Sequence, residues 1–263
     1  MAEKEFKNDP KDIIEAVPEE LEKVEPILPT GRDYRKRERK TEEERTKEAL
    51  DSWVPKTELG KAVRTGKEKD INKVLEQGKK ILEPEIVDTL LNIKTDLISI
   101  GQAKGKFGGG KRRAWRQTQR KTGEGNVLSF SAMAVVGDER GYIGIGYGKA
   151  SETLPSREKA LRNAKINVQK IFLGYESPEN EPENAVPHTV PFKVEGKSGS
   201  SRITLWPAPR GTGLVVSDEC KKILKLAGIK DVYSKTEGKT KTTFNVAKAC
   251  VNALEKTKTG FQK

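Results

Sequence analysis

Apolar positions return to the chain in WVPKTELGKAV, from Trp53, and a folded region is expected to start there. The stretch EPEIVDTLL (83–91) sets Pro84 in a first turn and Ile86, Val87, Leu90 and Leu91 on one side, as an amphipathic helix does. Three strands are expected next. The first lies near 95–104, and the second, VLSFSAMAVVGD (127–138), alternates Leu128, Phe130, Ala132, Ala134 and Val136 on one face. A tight GDERGY turn leads into the third, GYIGIGYGK (141–149). TLPSREKALRNAKINVQKIF (153–172) then spaces Leu161, Ala164, Val168 and Ile171 as a helix would, leaving Arg157, Lys159, Arg162, Lys165 and Lys170 mostly off that stripe.

Helix, three antiparallel strands, helix is the α-β-β-β-α plan of a double-stranded-RNA-binding domain, which reads A-form RNA by shape. Several unrelated folds share it, so the order alone does not give a function. A second domain opens with PHTVPFKVEGKSGSSRITLWPAPRGTGLV (187–215), two strands joined by the GKSGS turn. SDECKKILKLAG (217–228) has Ser217 as N-cap, acids in the first turn and Gly228 just past the end of a helix. IKDVYSKT gives a strand, EGKTKTT a basic loop, and FNVAKACVNALEK a last helix with Val246, Cys250 and Ala253 inward.

The glycines of 141–149 pose a chemical question, because a Gly-rich run ending in lysine can cradle a phosphate. The spacing excludes it: G-x-x-x-x-G-K-[ST] on Gly148-Lys149 would need glycine at Ile143 and a hydroxyl at Ala150. Gly144, Gly146 and Gly148 give G-x-G-x-G, not the dinucleotide fingerprint. A period of two instead puts Ile143, Ile145 and Tyr147 on one face and three glycines on the other. Bare backbone inside a strand invites close approach, either by a helix or by RNA backbone near Gly148-Lys149.

Composition narrows the partner. Hydrophobic residues are 33% of the 263, charged residues 34%, and the net charge is +12. That is a poor composition for one compact globule and points to a polyanion. No apolar run approaches the roughly 20 residues that span a bilayer, so a membrane partner is not expected and a cytoplasmic location is. Cys220 and Cys250 stand 30 positions apart without C-x-x-C, and His188 is the only histidine, so neither a metal site nor a catalytic triad can be assembled. No cofactor, small-molecule substrate or enzyme activity is expected.

Charge also sets the organisation. Residues 1–29 carry nine acids against four lysines, residues 30–50 mix both signs, and ESPENEPEN (176–184) holds four acids and no base. The expected division is a charged extension (1–51), a first domain (52–174), an acidic linker (175–186), a second domain (187–258) and a tail (259–263). Between the first two expected strands, KGKFGGGKRRAWRQTQRK (104–121) carries eight cations and no acid, with Phe107 and Trp115 able to stack on bases. Phosphate contact explains such an uncompensated loop better than a solvated face does.

AVVGDERGYIGIGYGKASE, the 187–215 stretch quoted above and LAGIKDVYSKTEGKTKTTFNVAKACVNAL closely resemble the universal small-subunit ribosomal protein S-five family. WVPKTELGKAV and EPEIVDTLL resemble its archaeal and eukaryotic branch. The resemblance covers about residues 52–257. It implies an α+β fold of two small domains, the first similar to double-stranded-RNA-binding domains, the second with a left-handed βαβ crossover. It also implies a ribosomal RNA-binding, non-enzymatic role at the head–body junction of the small subunit, near the messenger RNA path and beside the third- and fourth-family small-subunit proteins. Roles in subunit assembly and translational accuracy follow from that position.

Two departures stand out. The family's short T-x-x-G-R-R-like loop is expected to be extended here through KFGGGKRRAWRQTQRKTGEGN, and the Cys-rich piece that many archaeal relatives carry after the long helix is replaced by ESPENEPEN. PAPRGTGLVVS echoes the ATP loop of small-molecule kinases that share the second fold, but it lacks the paired serines and a placed carboxylate. The expected RNA contacts are Lys104, Lys106, Lys111, Arg112, Arg113, Arg116, Arg120 and Lys121 in the loop, and Lys149 beside the bare strand. In the second domain they are Lys197 and Arg202 at the turn, Arg210 in PAPRGTG, and Lys235, Lys239 and Lys241 in the last loop. Their expected role is to position phosphates, not to read bases.

Overall fold

The computed structural model describes residues 50–103, 112–176 and 186–260. They all belong to one compact unit, Thr46–Lys263. The charged extension up to residue 49 and residues 177–185 of the expected linker lie outside the described residues, as do Lys104, Lys106 and Lys111.

A lead segment of three short helices comes first: α1 (Glu58–Arg64), α2 (Ile71–Glu76) and α3 (Pro84–Leu90). Thr57 caps α1, its side chain accepting from Gly60 N at 3.0 Å. Pro84 begins α3, where its missing N–H costs nothing. Glu83, just before it, gathers the segment, its carboxylate accepting from Trp53 Nε1 (2.9 Å), Lys56 N (2.9 Å) and Thr57 N (2.6 Å).

The first sheet contains β1 (Lys94–Leu97), β2 (Trp115–Thr122), β3 (Gly125–Gly137), β4 (Tyr142–Ala150) and, after α4 (Thr153–Ile166), β5 (Val168–Lys170). Its strands are all antiparallel in the order β1-β3-β4-β5, with β2 pairing the other half of the same β3 edge. Two expectations are corrected here. Four strands, not three, lie between α3 and α4, because residues 115–122 of the expected loop pair with β3. The expected first strand ends at Leu97, short of residue 104.

The long helix also ends earlier than its periodicity suggests. It stops at Ile166, and the chain turns at Asn167 so that Val168–Lys170 pair with Gly144–Tyr142. Val168 and Ile171 are buried, as a helical stripe would have them, but on and after a strand.

The bare face of β4 is answered by α4. A Cβ added to Gly144, Gly146 or Gly148 would fall under 3.0 Å from Ala164 O, Ala160 O and Ser156 O respectively. The glycines let a helix backbone lie directly on the strand, which is the first of the two readings left open above. The turn before β4 is held by Asp138, whose carboxylate accepts from Arg140 N and Tyr142 N.

The second sheet has β6 (Val194–Ser198), β7 (Ser201–Pro207), β8 (Leu214–Val215) and β9 (Val232–Glu237) in the order β6-β7-β9-β8. Only β8 and β9 run parallel, linked by α5 (Asp218–Ala227). Ser217 precedes α5 as expected but makes no side-chain capping bond. The chain ends in α6 (Thr243–Glu255) and the short α7 (Thr257–Gly260).

The elements stack in four layers. The lead helices and α4 cover one face of the first sheet, burying Val74, Ile86 and Val87 with Ala132, Ala134, Val136, Ala160 and Ala164. From the opposite face of β3 and β4, Met133, Val135 and Ile143 enter a core shared with Leu205, Ile223, Leu224 and Leu254. Helices α5 and α6 therefore lie between the two sheets, so β3 is buried on both faces over 131–137. Cys220 and Cys250 are buried free thiols in this layer, packed as small apolar residues.

Candidate nucleic-acid interface

Strand β4 reaches only as far as Phe130 on β3, while β2 pairs β3 out to Gly125. Beyond Phe130, β2 and β3 form a two-stranded ribbon projecting roughly 17 Å, at about 3.3 Å per residue. The turn is Thr122-Gly123-Glu124-Gly125, closed by Thr122 Oγ1 donating to Gly125 O at 2.8 Å, with Gly125 at φ 125. The turn itself is thus short, and most of the expected extended loop is strand β2 with the residues that precede it. A ribbon paired on one side only is marginally stable in water, so its order depends on what it meets.

Register fixes where each cation lies. Arg116, Thr118 and Arg120 share a face with their partners Ser131, Ser129 and Val127. The row continues from Ser131 to Lys149 on β4, placing Arg116, Ser131 and Lys149 side by side across three strands. This is the face of Met133 and Tyr147. Tyr147 meets Phe244 of α6 edge-on at 5.3 Å, and Lys248 lies over Phe244 at 4.5 Å. Lys121 lies on the other ribbon face. Arg112 and Arg113 precede β2, where Arg113 O accepts from Gly101 N. All six cations are exposed, and none has an ion pair among the described residues.

The second-domain cations divide in two. Lys197, Arg202 and Glu237 form one row on the outer face of the second sheet, with Glu195, Thr204 and Lys235 in the next. Lys235 therefore sits on β9, not in the last loop as expected. With Lys193 and Lys256 they line a shallow groove of about 340 Å³. Both acids there are engaged, Glu195 by Lys193 (3.2 Å) and Glu237 by Lys235 (2.9 Å). The Lys235 hydrogen bond holds the Glu237 carboxyl below its ordinary range. Lys239 and Lys241 follow beside this end of the sheet, where Ser201 Oγ donates to Lys239 O. Arg210 lies past the opposite end of β7, beyond Pro207, which is about 17 Å from Arg202 along the strand, and its guanidinium reaches Val186 O.

Three residues that bear on this surface are absent from the sequence-based set. Gln117 and Gln119 alternate with the ribbon arginines, a period of two visible in RQTQR once polar residues are read for alternation. Arg157 of α4 lies over the Trp115 ring at 4.9 Å; nothing in the sequence signals that contact.

A two-sheet α+β body with a protruding ribbon of exposed cations has the surface of a polyanion-binding structural protein. Residues 114–172 match the family model for the ribosomal protein S5 N-terminal domain, and residues 196–262 that for the C-terminal domain. The small ribosomal subunit protein uS5 of Nanoarchaeum equitans is 44% identical over 208 residues, 79% of this chain and 88% of the relative. That of Staphylothermus marinus is 44% identical over 212 residues (80% and 91%), and that of Thermoplasma volcanium 46% over 208 (79% and 86%). The chain belongs to the ribosomal protein S5 family, of the archaeal type, whose members are ribosomal structural proteins and not enzymes.

Proposed function

We propose that this chain is a structural constituent of the small ribosomal subunit in the cytoplasm, holding ribosomal RNA through the β2–β3 ribbon and, more weakly, through the outer face of its second sheet. The observation that carries this is the ribbon, marginal on its own and lined by cations that no carboxylate among the described residues neutralises. The S5 relatives support the subunit. Within it, the chain sits at the head–body junction near the messenger RNA path, beside the third- and fourth-family small-subunit proteins, and acts in assembly and accuracy. The α3-to-α4 order supports a first domain similar to double-stranded-RNA-binding domains, and the parallel β8–α5–β9 unit is compatible with the family's left-handed crossover. The chain is read as a charged extension, two RNA-holding domains (52–174 and 187–258) and an acidic linker between them.

The test is the salt dependence of binding between the full chain and small-subunit ribosomal RNA. Each phosphate contact contributes roughly 0.9 to the slope of log affinity against log salt, so changing Arg116, Arg120 and Lys121 together to Gln should flatten it by about 2.7. An unchanged slope would overturn the ribbon as the phosphate-binding element.

A further inference from the structure

The two faces of the ribbon differ in chemistry. One presents Arg116, Thr118 and Arg120 with Ser131, Ser129 and, at the tip, Val127, and Thr118 and Ser129 share a 2.8 Å hydroxyl hydrogen bond. Guanidinium and hydroxyl groups suit phosphate and ribose 2′-hydroxyls. The other face, on the α4 side, presents Trp115, Gln117 and Gln119 opposite Ala132, Phe130 and Leu128, with Lys121 opposite Asn126 at its tip. Its side is fixed by Ala132, buried with Ala160 and Ala164, and by Arg157 over the Trp115 ring.

Short of Lys121 at its tip, this second face resembles neither a solvated strand nor a phosphate clamp. Glutamine amides offer a donor and an acceptor together, the pairing that matches an adenine edge. Leu128 is 39% exposed, and Leu154, one turn from Arg157 on α4, is 62% exposed. The Arg157 guanidinium, a planar group of the kind on which bases stack, lies over Trp115 with its carbon 4.9 Å from the ring centre. Its Nε is buried without a hydrogen-bond partner, so the protein leaves a desolvated donor unanswered.

Resting on the ribosomal RNA-binding reading above, we propose that the α4-side face of the ribbon holds unpaired bases of that RNA: Gln117 and Gln119 take base edges, and Arg157, stacked on Trp115, takes a base plane. Paired A-form RNA satisfies this face only in part, because its shallow groove shows base edges but its stacked bases leave no plane for Arg157. A looped or bulged adenine-rich segment offers both. The ribbon thus divides the two tasks, with Arg116 and Arg120 gripping the backbone on one face and the glutamines selecting unpaired bases on the other, where Lys121 at the tip adds one phosphate contact.

Two RNAs of equal length and charge test this, an adenine-rich stem-loop and a fully paired duplex, each titrated with the full chain across a range of salt. The chain should prefer the stem-loop by about tenfold, as one or two base contacts imply. Gln117→Ala with Gln119→Ala, both on exposed positions, should reduce that preference to within about twofold with the salt slope unchanged. Arg157→Lys keeps the charge and should lose part of the preference. Arg116→Gln with Arg120→Gln should do the reverse, flattening the slope by about 1.8 while the preference stays. Equal binding of both RNAs by the unaltered chain would overturn the inference. So would a preference that survives the double Gln→Ala change, or a double change that impairs incorporation into subunits without touching RNA preference, which would assign the face to a protein. Loss of the slope effect in the arginine pair alone would instead strike the reading on which the inference rests.

Discussion

The two sheets are built alike inside and differ outside. Each presses a helix onto a glycine: α4 onto Gly144, Gly146 and Gly148, and α6 onto Gly196, where a Cβ would fall under 3.0 Å from Ala249 O. Outside, the first sheet runs on into an unsupported ribbon whose cations have no ion pair among the described residues. The second sheet carries its cations on a four-stranded face where Glu195 and Glu237 already engage two of them. Charge on a rigid, partly neutralised face steers a polyanion, whereas charge on a marginal ribbon couples binding to ordering. On the RNA-binding function proposed above, the same basic composition is expected to do two different things.

The inner likeness gives the largest expected effect. Gly146→Val should destabilise the chain by more than about 3 kcal/mol even though valine suits strands better than glycine, because the clash is with helix backbone that cannot yield. Gly196→Val should do the same in the second sheet. Thermal unfolding by circular dichroism reads both, and depletion of the variants from assembled subunits should follow. If Gly146→Val instead folded normally and abolished micromolar ATP binding, the strand would be a nucleotide site and the likeness between the sheets would fail.

The outer difference is the next to test. Lys193→Gln with Lys235→Gln should flatten the salt dependence of RNA binding by less than about one unit, since their glutamates already neutralise them, while Lys197→Gln with Arg202→Gln should flatten it by up to about 1.8. Equal effects of the two pairs would mean that the ion pairs open on binding. A loss in either pair as large as that of the ribbon triple would make the sheets equivalent.

How far the sequence reveals these differences depends on burial. The glycine strand, its apolar face and the helix that covers it are legible because burial enforces a period of two and then of 3.6. The ribbon is not, because WRQTQRKT buries neither face and carries no apolar alternation, so it reads as loop although the register with β3 is continuous. The end of α4 is masked by coincidence. Val168 falls four residues after Ala164 and is buried either way, and only pairing with β4, a long-range event, decides for strand. Of the candidate surface, the individual cations are visible in sequence, but their division into ribbon face, outer sheet face and the distant Arg210 depends on register. The Arg157–Trp115 contact joins residues 42 positions apart and needs the fold itself.

The smallest effect separates the sheets by acid. Only the first is covered by the lead segment, which Glu83 holds through Trp53, Lys56 and Thr57. Burial pushes the Glu83 carboxyl up, but the backbone N–H groups of Thr57 and Lys56, with the Thr57 and Trp53 side chains, outweigh it and hold the group below its ordinary range. A carboxylate that titrates lower folded than unfolded adds stability that is complete above its unfolded value and is lost as pH falls through its folded value. The lead segment should therefore loosen only in acid below the usual carboxylate range, with the second sheet intact. Fluorescence of Trp53, in a variant with Trp115 and Trp206 replaced by Phe, should report that transition, and Glu83→Gln should abolish its pH dependence at a cost of about 1–2 kcal/mol from weakened hydrogen bonds. If the Trp53 signal and the unfolding of the second sheet moved together with pH, the lead segment would be part of the shared core and not a cover on the first sheet alone.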